Sequence, residues 1–153
     1  MNPIAIPAWA DSLFLVAFPF SWCLGSFALS FFGGWRQLVR RYRSSDPISG
    51  TTWRFRSAAM HRQSAVSYNG ILKLTANEEG VGFSIFFPFR FGHPPLFIPW
   101  SDMQVSQVRR FIFFNRVRFT FPDEPAVWIE ITPKLAAKIQ KAIACDWFAD
   151  ASK

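Results

Sequence analysis

The densest group of potentially reactive side chains in this sequence is the stretch Gly92 to Asp102, reading Gly-His-Pro-Pro-Leu-Phe-Ile-Pro-Trp-Ser-Asp. An imidazole, an indole and a carboxylate beside three prolines have the composition of a reactive loop. Chemistry, however, needs partners. A metal site takes three or four convergent ligands, and neither His93 nor His61 has a Cys or second His near it in sequence. Both histidines are therefore read as surface or turn residues. Asp102 has no second carboxylate or His beside it in a recognisable motif, so it reads as a residue that caps a turn. Cys23 falls in an apolar span and Cys145 in a C-terminal helical pattern. With no ligand spacing between them, they read as reduced, buried thiols. H-E-x-x-H, G-x-S-x-G, phosphate-loop and dinucleotide patterns are absent. The expectation is a non-enzymatic protein with no catalytic residues, no metal and no cofactor.

The elements that must position these residues begin with a long apolar span. Ser12 to Gly34 holds 23 residues without a charge. As a helix this covers about 35 Å at roughly 1.5 Å per residue, enough for a hydrocarbon core of about 30 Å. Trp9 and Trp35 flank it, as interfacial aromatics do. Pro19 is tolerated inside a membrane helix. Residues 12–34 are thus expected to form one transmembrane helix. The first ten residues carry no Lys or Arg, so they lack the positive start of a secretory signal and cleavage is not expected. Ser21 with Gly25, and Ser26 with Ser30, form small-x-x-x-small pairs suited to packing against another helix.

The net charge of +7 is unevenly placed. Arg36 to Arg62 contains seven Arg and one Asp, whereas the rest of the chain is near balance. Arg36, Arg40, Arg41 and Arg43 directly follow the apolar span. Cytoplasmic flanks carry such an excess, so the N-terminus is expected outside and the main domain in the cytoplasm. The four arginines are candidates for contact with anionic lipid headgroups, worth about 1 kcal/mol each near the surface. Residues 35–51 read as a basic neck and linker, with Asp46-Pro47 and Gly50 as turn signals.

From residue 52 the hydrophobic period becomes two. Trp53, Phe55 and Ser57 alternate with Arg54 and Arg56, and Leu72, Leu74 and Ala76 alternate with Lys73 and Thr75. Asn77-Glu78-Glu79-Gly80 is a hairpin turn. Val81, Phe83, Ile85 and Phe87 share one face of the next strand, and Leu96 to Trp100 is a short one. Gln104 to Phe114 and Arg116 to Phe121 are two more. Val117, Phe119 and Phe121 point inward, and Val127, Ile129 and Ile131 follow the same rule. Thr132-Pro133 then opens a helix as hydroxyl cap and first-position proline. Leu135, Ile139 and Ile143 give it an apolar stripe opposite Lys134, Lys138 and Lys141. The fold class expected is mainly β with one C-terminal helix: about seven strands in a curved sheet or barrel over 52–149, capped by helix 133–148. Arg54, Arg56, Arg116 and Arg118 fall on strand faces opposite most of the Phe. A nucleic-acid sheet needs its aromatics on the binding face, so no nucleic-acid partner is expected.

This order of elements resembles the pleckstrin-homology-like superfamily, including its bacterial and GRAM-type members. The resemblance rests on Tyr68 to Ser84 (YNGILKLTANEEGVGFS), Pro94 to Met103 (PPLFIPWSDM) and Val127 to Ile143 (VWIEITPKLAAKIQKAI). The second is similar to an I-P-W-x-D-I strand, with Met103 departing at the last position. The neck pattern G-W-x-x-L-x-x-x-Y, Gly34 to Tyr42, also resembles short bacterial membrane proteins, which implies the bacterial inner membrane. The superfamily implies a scaffold that binds lipids, peptides or protein modules. Its phosphoinositide-binding members use basic residues between the first two strands, where this chain offers His61 and Arg62.

One surface remains to be assigned. Phe83 to Trp100 carries six Phe and four Pro, with Arg90 and His93 as its basic groups. Phe86 and Phe89 fall outside the inward alternation. Phe86, Phe89, Arg90 and Phe91 are therefore a candidate apolar patch for the bilayer or a partner protein. The expected function is a membrane-anchored interaction module whose cytoplasmic domain binds a protein partner or lipid headgroups. The alternative is a small structural subunit of a larger membrane complex.

Overall fold

The computed structural model describes residues 8–110 and 114–144. A long helix, α1 (Ala8–Phe32), is followed after Gly33-Gly34 by a short one, α2 (Trp35–Tyr42). The sheet strands are β1 (Thr51–His61), β2 (Ala65–Ala76), β3 (Gly80–Ile85), β4 (Leu96–Pro99), β5 (Gln104–Arg110), β6 (Phe114–Thr120) and β7 (Trp128–Ile131). A 3₁₀ turn, Trp100–Asp102, joins β4 to β5, and α3 (Pro133–Ile143) follows β7. The seven strands make one antiparallel sheet in the order β4-β3-β2-β1-β7-β6-β5. It curls into a half-barrel. Mainly β with a following helix and an apolar N-terminal helix is thus the architecture, as the hydrophobic periods imply. The expected extension of the last helix to 148, the domain end at 149 and Cys145 lie outside the described residues, as do residues 111–113 of the strand read over Gln104 to Phe114.

The inward faces follow the alternation in most strands. Leu72, Leu74, Val81, Phe83, Leu96, Ile98, Val117, Phe119, Ile129 and Ile131 are all buried in one core. α3 adds Leu135, Ala136, Ile139 and Ile143. Its cap is the expected one: Leu135 N–H donates to Thr132 Oγ1 at 3.4 Å, with Pro133 next in the chain. Asn77 builds the β2–β3 turn, its Oδ1 accepting from the N–H groups of Glu79 and Gly80 at 3.0 and 2.9 Å.

Three strand readings are corrected. Phe114 opens β6 opposite Arg110 and does not end the strand read over Gln104 to Phe114. Phe87 does not continue the inward face of β3, which ends at Ile85; Phe87 is 79% exposed. Phe86 N–H still donates to Ile71 O at 3.0 Å, but Pro88 has no N–H with which to extend the ladder. Phe55 is also turned out, 68% exposed, because β1 shifts register between Trp53 and Arg56 and again before Ala58. Phe55 sits at φ 54°, in the left-handed region that a bulky residue seldom occupies.

The segment read as neck and linker is in part core. Trp35, Leu38 and Tyr42 lie on one side of α2 and are buried, whereas Arg36, Arg40 and Arg41 are exposed. Such a helix cannot swing freely on its span. It is tied on two sides: Trp35 Nε1 donates to Pro94 O at 2.9 Å, and Gln37 Nε2 donates to Glu124 Oε2 at 2.6 Å. Ser44 N–H donates to Pro95 O at 3.0 Å. Gly34 allows the abrupt junction with α1. Its φ is +89°, and a Cβ there would press on Arg62 and Val127.

Candidate membrane-facing site

α1 has the length and composition of a bilayer span over Ser12–Phe32, with no Asp, Glu, Lys or Arg in that stretch. Phe14, Leu15, Val16, Phe18 and Phe20 are all more than half exposed. Its C-terminal half is different. There the helix is laced to the loop between β3 and β4, residues 86–93.

The lacing is made of hydroxyl and indole donors on one side and loop carbonyls on the other. Ser26 Oγ lies 2.8 Å from Phe91 O and 3.2 Å from Phe89 O, so its hydrogen is directed to that pair of acceptors. Ser30 Oγ donates to Gly92 O at 2.5 Å. Trp22 Nε1 reaches Pro88 O at 3.4 Å, and the Trp22 and Phe89 rings lie 5.0 Å apart. Ser26 and Ser30 are themselves buried. In hydrocarbon every carbonyl needs an internal donor, and these side chains supply donors along a stretch of about 12 Å of helix axis at roughly 1.5 Å per residue. The pair read as suited to another helix is therefore occupied by the chain's own domain.

His93 anchors the base of the loop and is corrected from a surface or turn residue to a buried one, 2% exposed. Nδ1 lies 2.9 Å from Phe91 O and Nε2 3.0 Å from the Tyr68 hydroxyl. A neutral ring satisfies both contacts, with Nδ1–H donating to the carbonyl and Nε2 accepting from Tyr68. Burial lowers the His93 pKa, against the opposing pull of the Phe91 and Phe89 carbonyls. Burial likewise pushes the Tyr68 phenol well up. Both shifts hold the pair uncharged. Trp35 packs on both rings, at 5.2 Å from His93 and 5.7 Å from Tyr68, so neck, loop and β2 share one joint.

The loop's outer surface is aromatic. Phe87 and Phe91 are exposed, with ring centroids 6.5 Å apart. Arg90 is exposed beside them. Phe86 is half-buried and stacks flat on Phe55 at 4.7 Å. Phe89 is half-buried against Trp22. Of the four expected patch residues, Arg90 and Phe91 thus face out while Phe86 and Phe89 support them. Phe55 and Phe87 complete the surface, and sequence reading placed both inside. Outside α1, Phe55, Phe87 and Phe91 are the large exposed hydrophobics among the described residues, and all three belong to this one tip.

The basic residues divide similarly. The Arg36 guanidinium lies 4.5 Å from the centre of the Phe27 ring, and Arg62 5.7 Å from that of Phe31. Two cations from separate elements therefore collar the end of α1. Arg40 and Arg43 are exposed. Arg41 turns the other way, 2.7 Å from Asp123 and 3.9 Å from Asp102. Asp102 also accepts from Ser101 Oγ at 2.9 Å, as a turn carboxylate does. Tyr42, beside it, has its pKa raised by burial and then by the Asp102 charge. Among the described residues no three His, Cys, Asp or Glu side chains converge as metal ligands.

Between the middle of α1 and the start of β2 lies a cleft of about 690 Å³. Phe18, Trp22, Gly25 and Leu29 form one wall; Val66, Tyr68, Ile71 and Phe89 form the other. The chain matches no protein-family model, no curated protein and no solved structure.

Proposed function

We propose that this protein is a membrane-anchored, non-enzymatic interaction module of pleckstrin-homology-like type. Its domain sits at the cytoplasmic face of a bacterial inner membrane and binds a protein partner or lipid headgroups there. The observation that carries the reading is the lacing of the 86–93 loop to Ser26 and Ser30 of α1. A loop bonded to a span shares the span's depth. The aromatic tip then rests in the cytoplasmic leaflet, and Arg36, Arg40 and Arg62 stand at the headgroup level, where basic side chains gain from anionic lipid. The arginines after the span support the orientation.

The proposal is tested with full-length protein in vesicles. A solvatochromic dye on Phe87→Cys, in a Cys23→Ser, Cys145→Ser background, is expected to show blue-shifted emission and quenching by acyl-chain spin labels. The same dye on Asn115→Cys, an exposed β6 position, should report water. Equal aqueous spectra at both positions would refute the insertion. A topology reporter after Lys153, active only on the external side, would refute the orientation.

A further inference from the structure

We propose that the cleft between α1 and β2 holds one acyl chain of a bilayer lipid. The inference rests on the reading of α1 as a membrane span. The cleft's volume of about 690 Å³ is within the range of about 300–1,000 Å³ typical of small-molecule sites. Its position selects the occupant. Phe18, Trp22, Gly25 and Leu29 line it and belong to the stretch of α1 with the length and composition of a bilayer span, so the cleft opens beside the helix that lipid would surround. Helices in lipid gain nothing hydrophobic from closing such a gap, and an apolar gap is a poor place for water.

The polar lining explains why hydrocarbon suits the interior. The Ser26 hydroxyl is spent on the Phe89 and Phe91 carbonyls. The Tyr68 hydroxyl and His93 Nε2 are spent on each other. The Ser26, Tyr68 and His93 side chains are therefore already paired within the protein. Ser21, Ser67 and Asn69, which also line the cleft, are exposed. Gly25 leaves the α1 wall open at its centre: a Cβ built on it meets no atom within 4 Å. A side chain can therefore start from this position of the cleft wall without a clash at its first carbon.

The test uses full-length protein in phosphatidylcholine and phosphatidylglycerol vesicles containing a phospholipid with a diazirine in its acyl chain. After irradiation, adducts are mapped by peptide. Adducts are expected on Val66 and Ile71 of β2 as well as on the outward Leu15 and Phe20 of α1. Gly25→Leu should abolish the β2 adducts and leave those on Leu15 and Phe20 unchanged. Ile71→Phe, which fills from the opposite wall, should likewise abolish the adducts on Val66. Adducts on α1 without any on β2, or β2 adducts that persist in both variants, would overturn the lipid site while leaving the span intact. No adducts on α1 at all would instead overturn the span, and the site with it. Disulfide dimers through Gly25→Cys, in the Cys23→Ser, Cys145→Ser background, would show a second copy of the chain in the cleft and also overturn the proposal.

Discussion

The neck helix α2 and the 86–93 loop are made of the same material, aromatic rings beside arginine, yet they face opposite ways. In α2 the rings of Trp35 and Tyr42 are buried and the arginines are exposed. In the loop, Phe87 and Phe91 are exposed and the buried groups are an imidazole and a set of carbonyls bonded to α1. The difference teaches that aromatic content alone does not distinguish core from contact surface. What distinguishes them is where the backbone hydrogen bonds go. α2 satisfies its own backbone and offers a stripe of side chains to the core. The loop pairs the Phe86 and Arg90 carbonyls with its own N–H groups, but the Phe89 and Gly92 carbonyls take donors from α1, and its rings are left outside.

The contrast is broken most directly by comparing Trp35→Ala with Phe87→Ser. Removing Trp35 empties a fully buried site and its bond to Pro94, and should cost about 3–5 kcal/mol. Phe87→Ser should stay within about 0.5 kcal/mol. Denaturant unfolding of the full-length protein in detergent measures both, and equal losses would erase the distinction. Next comes the lacing. Ser26→Ala with Ser30→Ala removes the serine donors to the Phe89 and Gly92 carbonyls, while Phe91 O keeps His93, at about 1–3 kcal/mol for each buried group left unpaired. Faster hydrogen exchange confined to the residues 86–93 is the expected signature, and unchanged exchange would count against the lacing.

The joint at His93 should respond to pH. Its folded pKa is lowered, so the unfolded chain binds the proton more readily. Stability from this group is then fully present above about pH 6.5, the ordinary histidine value. It is lost as pH falls from there through the lowered folded pKa. Melting temperatures of wild type between pH 7.5 and 5 should therefore decline more steeply than those of His93→Gln. Parallel slopes would mean that the ring is not held neutral. The smallest effect is expected at the neck's outer face. Arg41→Ala removes an exposed pair with Asp123 and should change stability by less than about 1 kcal/mol. A larger loss would make the outer face of α2 as structural as its inner one.

Much of the domain was legible because its determinants are local. Strands of period two, the Asn77 turn and the Thr132-Pro133 cap need only neighbours in sequence, and the structure has each of them. Phe55 and Phe87 were misread because a bulge and a strand end both shift the period, and alternation carries no mark of where it stops. Pro88 was the available signal for the second. His93 was misread because its partners, Tyr68 and the Phe91 carbonyl, form no motif with it; only the fold brings Tyr68 to the ring. Ser26 and Ser30 were legible as a small-residue pair suited to packing against another helix, but their hydroxyls meet the carbonyls of the 86–93 loop instead.

The sequence by itself determined an uncharged helix long enough to cross a bilayer, a basic segment after it, and a β-domain with a terminal helix. These follow from composition and period, which act over a few residues. Only the tertiary structure decided that the neck belongs to the core and that the loop is tied to the helix. It alone opened a cleft between helix and strand. Those outcomes depend on groups such as the Ser26 hydroxyl and the Phe91 carbonyl, 65 positions apart in the chain, meeting through hydrogen bonds that no local pattern in the sequence specifies.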